Sequence, residues 1–266
     1  MLTTGSFFAA ALILLVGADA AVAGAWLRTE GQGFSSTETR YFRTGGAKDE
    51  RFEQATVSFF AEYGLTEYLT AGLKVEQSTR FDSKGLGAQT GRAGGFARAR
   101  VWSGEGGGVA SIEAGGSIPF GGFQSPAAPD GDDANEFRAS ALYGMPLSTP
   151  YGDGWADGAL GFAYFTGGRA SEVKLDLTVG LRPTENWVTM AQMFGTLGLR
   201  NNRSIVDPDF DVAKVKLSVG RKVFGDKTLL IGLARDVYKR GTDPGWEASV
   251  TIWSPFDLDF SEWLGD

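Results

Sequence analysis

In residues 172–182 the side chains alternate without a break: Val173, Leu175, Leu177, Val179 and Leu181 on one face, Lys174, Asp176, Thr178 and Arg182 on the other. Successive side chains of an extended strand point to opposite sides, so this pattern specifies a strand with one apolar and one polar face. It recurs in 69–78, where Leu69, Ala71, Leu73 and Val75 oppose Thr70, Lys74, Glu76 and Ser78. It recurs again in 213–222, where Ala213, Val215, Leu217 and Val219 oppose Lys214, Lys216, Ser218 and Lys222. No segment beyond the first 23 residues approaches the run of about 18 apolar residues that a membrane-spanning helix needs. Strands must therefore build whatever this chain becomes.

The alternation predicts about twelve segments, each of roughly 9–14 residues. They fall at 25–43, 52–64, 68–81, 93–103, 108–119, 135–146, 155–166, 172–182, 187–200, 211–223, 228–239 and 246–254. One set of connections is tight: 65–67, 103–107, 183–186 and 224–226, with a longer member at 147–154. The other set is longer and more polar: 44–51, 82–91, 120–134, 167–171, 201–210 and 240–245. Short turns at one end, long loops at the other and an even strand count are the pattern of outer-membrane barrels. The expected fold class is thus all-β, an antiparallel up-and-down transmembrane β-barrel over residues 24–256 with a tail at 257–266. An exported soluble sandwich or lectin-like barrel alternates too, and stays open as the competing class. Aromatics near the segment ends (Trp26, Tyr68, Trp102, Phe120, Tyr143, Trp155, Tyr164, Trp187, Trp246 and Trp253) are expected to form interfacial girdles.

Residues 7–16 form an apolar run that leads into small residues and Ala21-Val22-Ala23. That is the pattern of a cleaved signal peptide, assigned here to residues 1–23. The usual basic leader is missing, since the first basic residue is Arg28. A permanent N-terminal anchor is the competing reading; Asp19 and the short apolar core weigh against it.

If the apolar faces meet lipid, the polar faces line a lumen. The candidate lining is Lys74, Glu76, Arg98, Arg100, Glu113, Arg138, Lys174, Asp176, Lys214 and Lys216, with Arg28, Glu30, Glu62, Arg80, Asp157, Arg182 and Glu247 on the same faces. Such groups survive in a lumen because they are paired or hydrated; facing lipid at mid-depth each would cost about 2–4 kcal/mol. Two readings fit them equally, a narrow polar channel for small solutes and a salt-bridged plug. The pairs Arg98/Arg100 and Lys214/Lys216 stand about 6.5–7 Å apart on one face. They could steer an anion, or be neutralised by acids such as Glu113. Acidic stretches at 126–136 (Asp130, Asp132, Asp133, Glu136) and 201–211 (Asp207, Asp209, Asp211) lack the spacing of a calcium loop and read as solvated loops.

Composition removes most chemistry. The chain has 266 residues with no Cys and no His, so thiolate metal sites, cysteine nucleophiles and Ser-His-Asp hydrolysis are excluded. No cofactor, metal or catalytic residue is assigned, and the chain is read as a non-enzyme. A net charge of −7 argues against a nucleic-acid surface. The 39 glycines fit turns, loops and inner-face positions where a side chain would close a pore.

The stretch Ala61-Glu62-Tyr63-Gly64-Leu65-Thr66-Glu67-Tyr68-Leu69-Thr70-Ala71-Gly72-Leu73 resembles a hairpin of outer-membrane barrel proteins, "YGLT-(D/E)-x-LTxGL". It is similar in particular to the family of transporters of the phenol meta-cleavage degradation pathway. The resemblance covers one hairpin and implies a barrel in the outer membrane of a Gram-negative bacterium. It carries over no substrate residue. Barrels of this type usually end on an aromatic residue read by the assembly machinery. Here Trp253 or Phe256 would serve, ahead of the tail. The expected function is passage of small polar or aromatic solutes; the alternatives are a structural barrel without transport and a soluble exported protein that binds carbohydrate or a protein partner. The expected partners are outer-membrane lipid and lipopolysaccharide, the barrel-assembly machinery and a small-molecule solute.

Overall fold

The computed structural model describes residues 24–45, 52–82, 85–120, 134–166, 169–199, 211–240 and 244–258, with the backbone alone at 82 and 85–88. Twelve strands occupy the described residues. They are β1 (Gln32–Thr44), β2 (Glu53–Thr66), β3 (Leu69–Asp82), β4 (Gly85–Ser103), β5 (Val109–Phe120) and β6 (Glu136–Thr149). The second half holds β7 (Gly152–Phe165), β8 (Glu172–Thr184), β9 (Trp187–Gly198), β10 (Asp211–Phe224), β11 (Lys227–Arg240) and β12 (Gly245–Asp257). Each pairs antiparallel with its chain neighbour, and β1 pairs with β12 from Gln32–Asp257 to Thr44–Gly245, which closes the barrel. Strands of 12 to 19 residues exceed the roughly 9–11 that a tilted strand needs to cross a bilayer.

The two faces separate as the alternation requires. Leu217, Leu233 and Val237 are each more than 60% exposed on the outside, and Ile112, Leu160, Val179 and Ile231 join them. Thr178, Lys216, Ser218, Glu247 and Ser249 are buried on the inside. A soluble sandwich would show the reverse, with its apolar face dry and its charges outward. A closed barrel with an apolar exterior spans a membrane, because closure leaves no backbone edge unpaired in the hydrocarbon. Exposed aromatics gather at both ends: Tyr68, Trp102, Tyr143 and Trp187 near the tight turns, Phe120, Tyr164 and Trp246 near the long loops. Trp102 and Tyr143 stack at 6.3 Å between ring centroids.

Four expectations need correction. Residues 25–31 are not the start of the first strand, which begins at Gln32; they leave the wall and enter the lumen. The expected loop 82–91 is mostly strand, because β4 begins at Gly85 and extends the β3–β4 ribbon. The connection placed at 147–154 is a tight turn over Pro150-Tyr151, like its neighbours. Trp155 and Trp253 point inward and pack with Trp26, so these three belong to the interior and not to a girdle. The acidic residues Asp130, Asp132, Asp133, Asp207 and Asp209 lie outside the described residues.

A charge in the middle of the exterior belt tests the barrel directly. Leu217→Arg is expected to cost about 2–4 kcal/mol of folding stability in a lipid bilayer. Urea titration of folding into vesicles measures it; a loss under about 1 kcal/mol would place Leu217 outside the hydrocarbon.

Candidate lumenal site

The lumen holds two different halves. At the tight-turn end it is filled. Trp155, Val188, Met190 and Leu230 form a buried apolar cluster, with Trp26 and Trp253 packed against it. Across this end runs the segment 24–31. Ser111 Oγ donates to the Ala25 carbonyl at 2.6 Å, Arg98 Nη1 to the Trp26 carbonyl at 3.3 Å, and the Arg28 amide to Thr70 Oγ1 at 2.9 Å. The Trp26 ring lies over Gly144 of β6, and the Gly31 amide reaches the Gly64 carbonyl of β2 at 3.1 Å. The segment thus passes from the β5–β7 side to the β2 wall. Only glycine fits at position 64, since a Cβ there would overlap the Arg28 and Thr29 carbonyls.

A chain of charges fixes the segment. Glu62 accepts from Arg28 at 2.5 Å and from Arg98 at 3.1 Å; Arg98 also donates to Glu113 at 2.8 Å, and Arg138 lies 3.6 Å from Glu113. Side-chain exposures of 3% for Glu62, 7% for Arg98 and 10% for Glu113 make this a dry network. Guanidinium groups lie against both oxygens of Glu62 and of Glu113, the pairing that burial of a carboxylate requires.

At the long-loop end the lumen opens into a cavity of about 270 Å³. Its lining brings together four of the ten candidate residues, Lys74, Glu76, Arg138 and Lys174, with Arg92, Glu136, Arg169, Phe96 and Phe165. Charges of both signs face it. Lys174 reaches Glu136 at 3.3 Å and Glu172 at 3.4 Å, and Arg40 reaches Glu76 at 2.7 Å with Lys74 at 3.5 Å. Arg169 stacks on Phe165 at 4.1 Å from the ring centroid. A second cavity of about 160 Å³, lined by Trp26, Trp155, Pro146, Asp153 and Arg182, lies at the tight-turn end. The two share no lining residue, and Arg98 joins them, stacked on Phe96 above and bonded to Trp26 below.

The other candidates lie elsewhere. Arg98 and Glu113 belong to the dry network. Arg100 stacks on Tyr68 at 5.0 Å near the tight turns. Lys214 pairs with Glu247 at 2.7 Å, and Lys216 pairs with Glu38 across the two strands between them. Asp176 sits on the inner face of β8 beside Lys174. In both basic pairs the first question, steering or neutralisation, is thus answered by carboxylates at Arg98, Lys214 and Lys216. Sequence reading missed Glu38, Arg40, Arg92, Glu172 and the tryptophan filling. Glu38 and Arg40 alternate in phase with Thr44 along β1, and that phase was the available signal. Glu136 and Asp211, assigned to acidic loops, are strand residues that pair with Lys174 and Arg240.

No known family profile matches this sequence, and no curated protein sequence matches it. Among solved structures the chain is similar to an outer-membrane channel from Pseudomonas putida F1, at 9% identity over 90% of this chain and 100% of that one, with a TM-score of 0.64. It is also similar to the translocator domain of the autotransporter NalP from Neisseria meningitidis, at 14% identity over 85% and 88% of the two chains, with a TM-score of 0.51. The shared property is the fold. Together with the apolar exterior it makes this chain an outer-membrane β-barrel, the architecture that the 61–73 hairpin implied.

Removing Arg98 leaves Glu62 with Arg28 alone and Glu113 with Arg138 alone in the dry half. Arg98→Ala is expected to cost about 3 kcal/mol, because one oxygen of each buried carboxylate then has neither a partner nor water. The triple variant Arg98→Ala, Glu62→Gln, Glu113→Gln should recover part of that loss in the same denaturant titration.

Proposed function

We propose that this barrel is a narrow outer-membrane channel for small polar or aromatic solutes. The observation that carries the reading is the mixed-charge cavity at the long-loop end, enclosed by a wall whose other face is apolar. The cations and anions of this lining offer hydrogen bonds to a polar solute. Phe96 adds apolar surface to the lining. Passage would need the segment 24–31 and the Trp26–Trp155 contact to shift at the opposite end. The same filled end supports the second reading, a structural barrel whose charges only hold its shape. In either case lipopolysaccharide and the assembly machinery are its expected surroundings, with Trp253 and Phe256 on β12 as the aromatic residues for assembly to engage.

Planar-bilayer recording separates the two. The folded wild-type barrel should pass small currents, and Trp26→Ala should raise the conductance by thinning the filled end. A heat-modifiable, correctly folded barrel that is silent in both forms would leave only the structural role.

A further inference from the structure

The segment that crosses the lumen begins where the sequence places a cleavage signal. The small residues of Ala21-Val22-Ala23 set the scissile bond between Ala23 and Gly24. Gly24 lies against the inner face of β7, so close to Asp157 that an added Cβ would overlap the carboxylate oxygen Oδ1. The other oxygen, Oδ2, is buried and has no hydrogen-bond partner among the described residues. An orphaned carboxylate oxygen in a closed site costs free energy that a donor would remove. The residues that follow are already moored: Ala25 to Ser111 and Trp26 to Arg98 through their carbonyls.

We infer that export cuts the chain between Ala23 and Gly24 and that the amino terminus so released is the missing partner of Asp157. Signal-peptidase hydrolysis breaks the Ala23–Gly24 amide; water supplies hydroxyl to the Ala23 carboxyl group and hydrogen to the Gly24 nitrogen. The free α-amine, with an ordinary pKa of about 7.7–8.0, takes up a further proton near neutrality. The resulting ammonium brings a positive charge and N–H donors to a carboxylate that no other described cation pairs. It latches the first residue of 24–31 to β7, while Arg28 and Gly31 hold the far end to β2. Glycine is required after the cut because any side chain would displace the carboxylate that the amine must meet. The latch operates whether or not solute crosses the lumen.

The test uses the full chain, exported in a Gram-negative host and purified folded from the outer membrane. Intact mass should give Gly24 as the first residue; a terminus elsewhere overturns the inference. Labelling with a pyridinecarboxaldehyde, which needs a free terminal amine, should be at least about tenfold slower in the folded wild type than in the unfolded chain, the protection one charge-assisted contact supplies. Asp157→Asn should abolish that protection, whereas Asp176→Asn, another lumenal carboxylate, should keep it. A Ser-Gly insertion between Ala23 and Gly24 leaves Asp157 intact, so it decides the matter if Asp157→Asn fails to fold. The amine then sits two residues away and should label rapidly. Equal labelling of the wild type and the insertion variant would refute the latch.

Discussion

The pairing of β1 with β12 is the contact on which everything else depends. A bilayer interior offers no water to backbone groups, so an open edge would leave a row of unpaired N–H and C=O groups in hydrocarbon. Closure removes that edge and divides the side chains into two populations with different solvents. Leu217 and Leu233 then have only lipid to face, and the charged residues between them have only the lumen. Strand closure thereby forces charges from distant parts of the sequence into one confined space, where pairing is the least costly arrangement. Glu38 on β1 and Lys216 on β10 are 178 positions apart, yet they are held together by the ring closing between them.

Strand number then sets how much of that space the wall can fill. Eight strands leave an interior that side chains occupy, and sixteen leave open water. At twelve the inward residues fill only part of it. At the tight-turn end the deficit is met by large rings, Trp155 and Trp253, and by a piece of chain, 24–31, laid across the opening. At the long-loop end glycines 94, 95, 115 and 116 line the wall, and the space remains as the cavity. One barrel therefore carries a packed half and a hydrated half.

Much of this was legible in the sequence because a strand's period needs only local information. The alternation in 69–78, 172–182 and 213–222 is enough to separate an apolar from a polar face on each strand. What failed was information that alternation does not contain. Trp26, Arg28 and Glu30 keep the period of a strand, so the segment reads as wall; only its contacts with Ser111, Thr70 and Gly64 show that it has turned inward. Gly31, with φ at +83°, marks the corner, but among 39 glycines one more interruption carries little weight. Trp155 and Trp253 sit near strand ends, where aromatics usually mark an interface, yet they pack inward against Trp26. Which base meets which acid was beyond reach, since it requires the closed ring.

The two halves also differ in how their charges respond to a change of partner. Lys74 is 56% exposed at its side chain, so water screens its ion pair with Glu76 and compensates when the two separate. Glu62 and Arg98 have no such alternative; their exchange would expose a carboxylate to a dry interior. Rearrangement is therefore less costly at the Lys74–Glu76 pair than in the Arg28–Glu62–Arg98–Glu113 chain. Any motion of 24–31 must leave that chain intact or bring in water as it breaks. The Gly24 end is tied to the same chain through the bond from Arg98 to the Trp26 carbonyl.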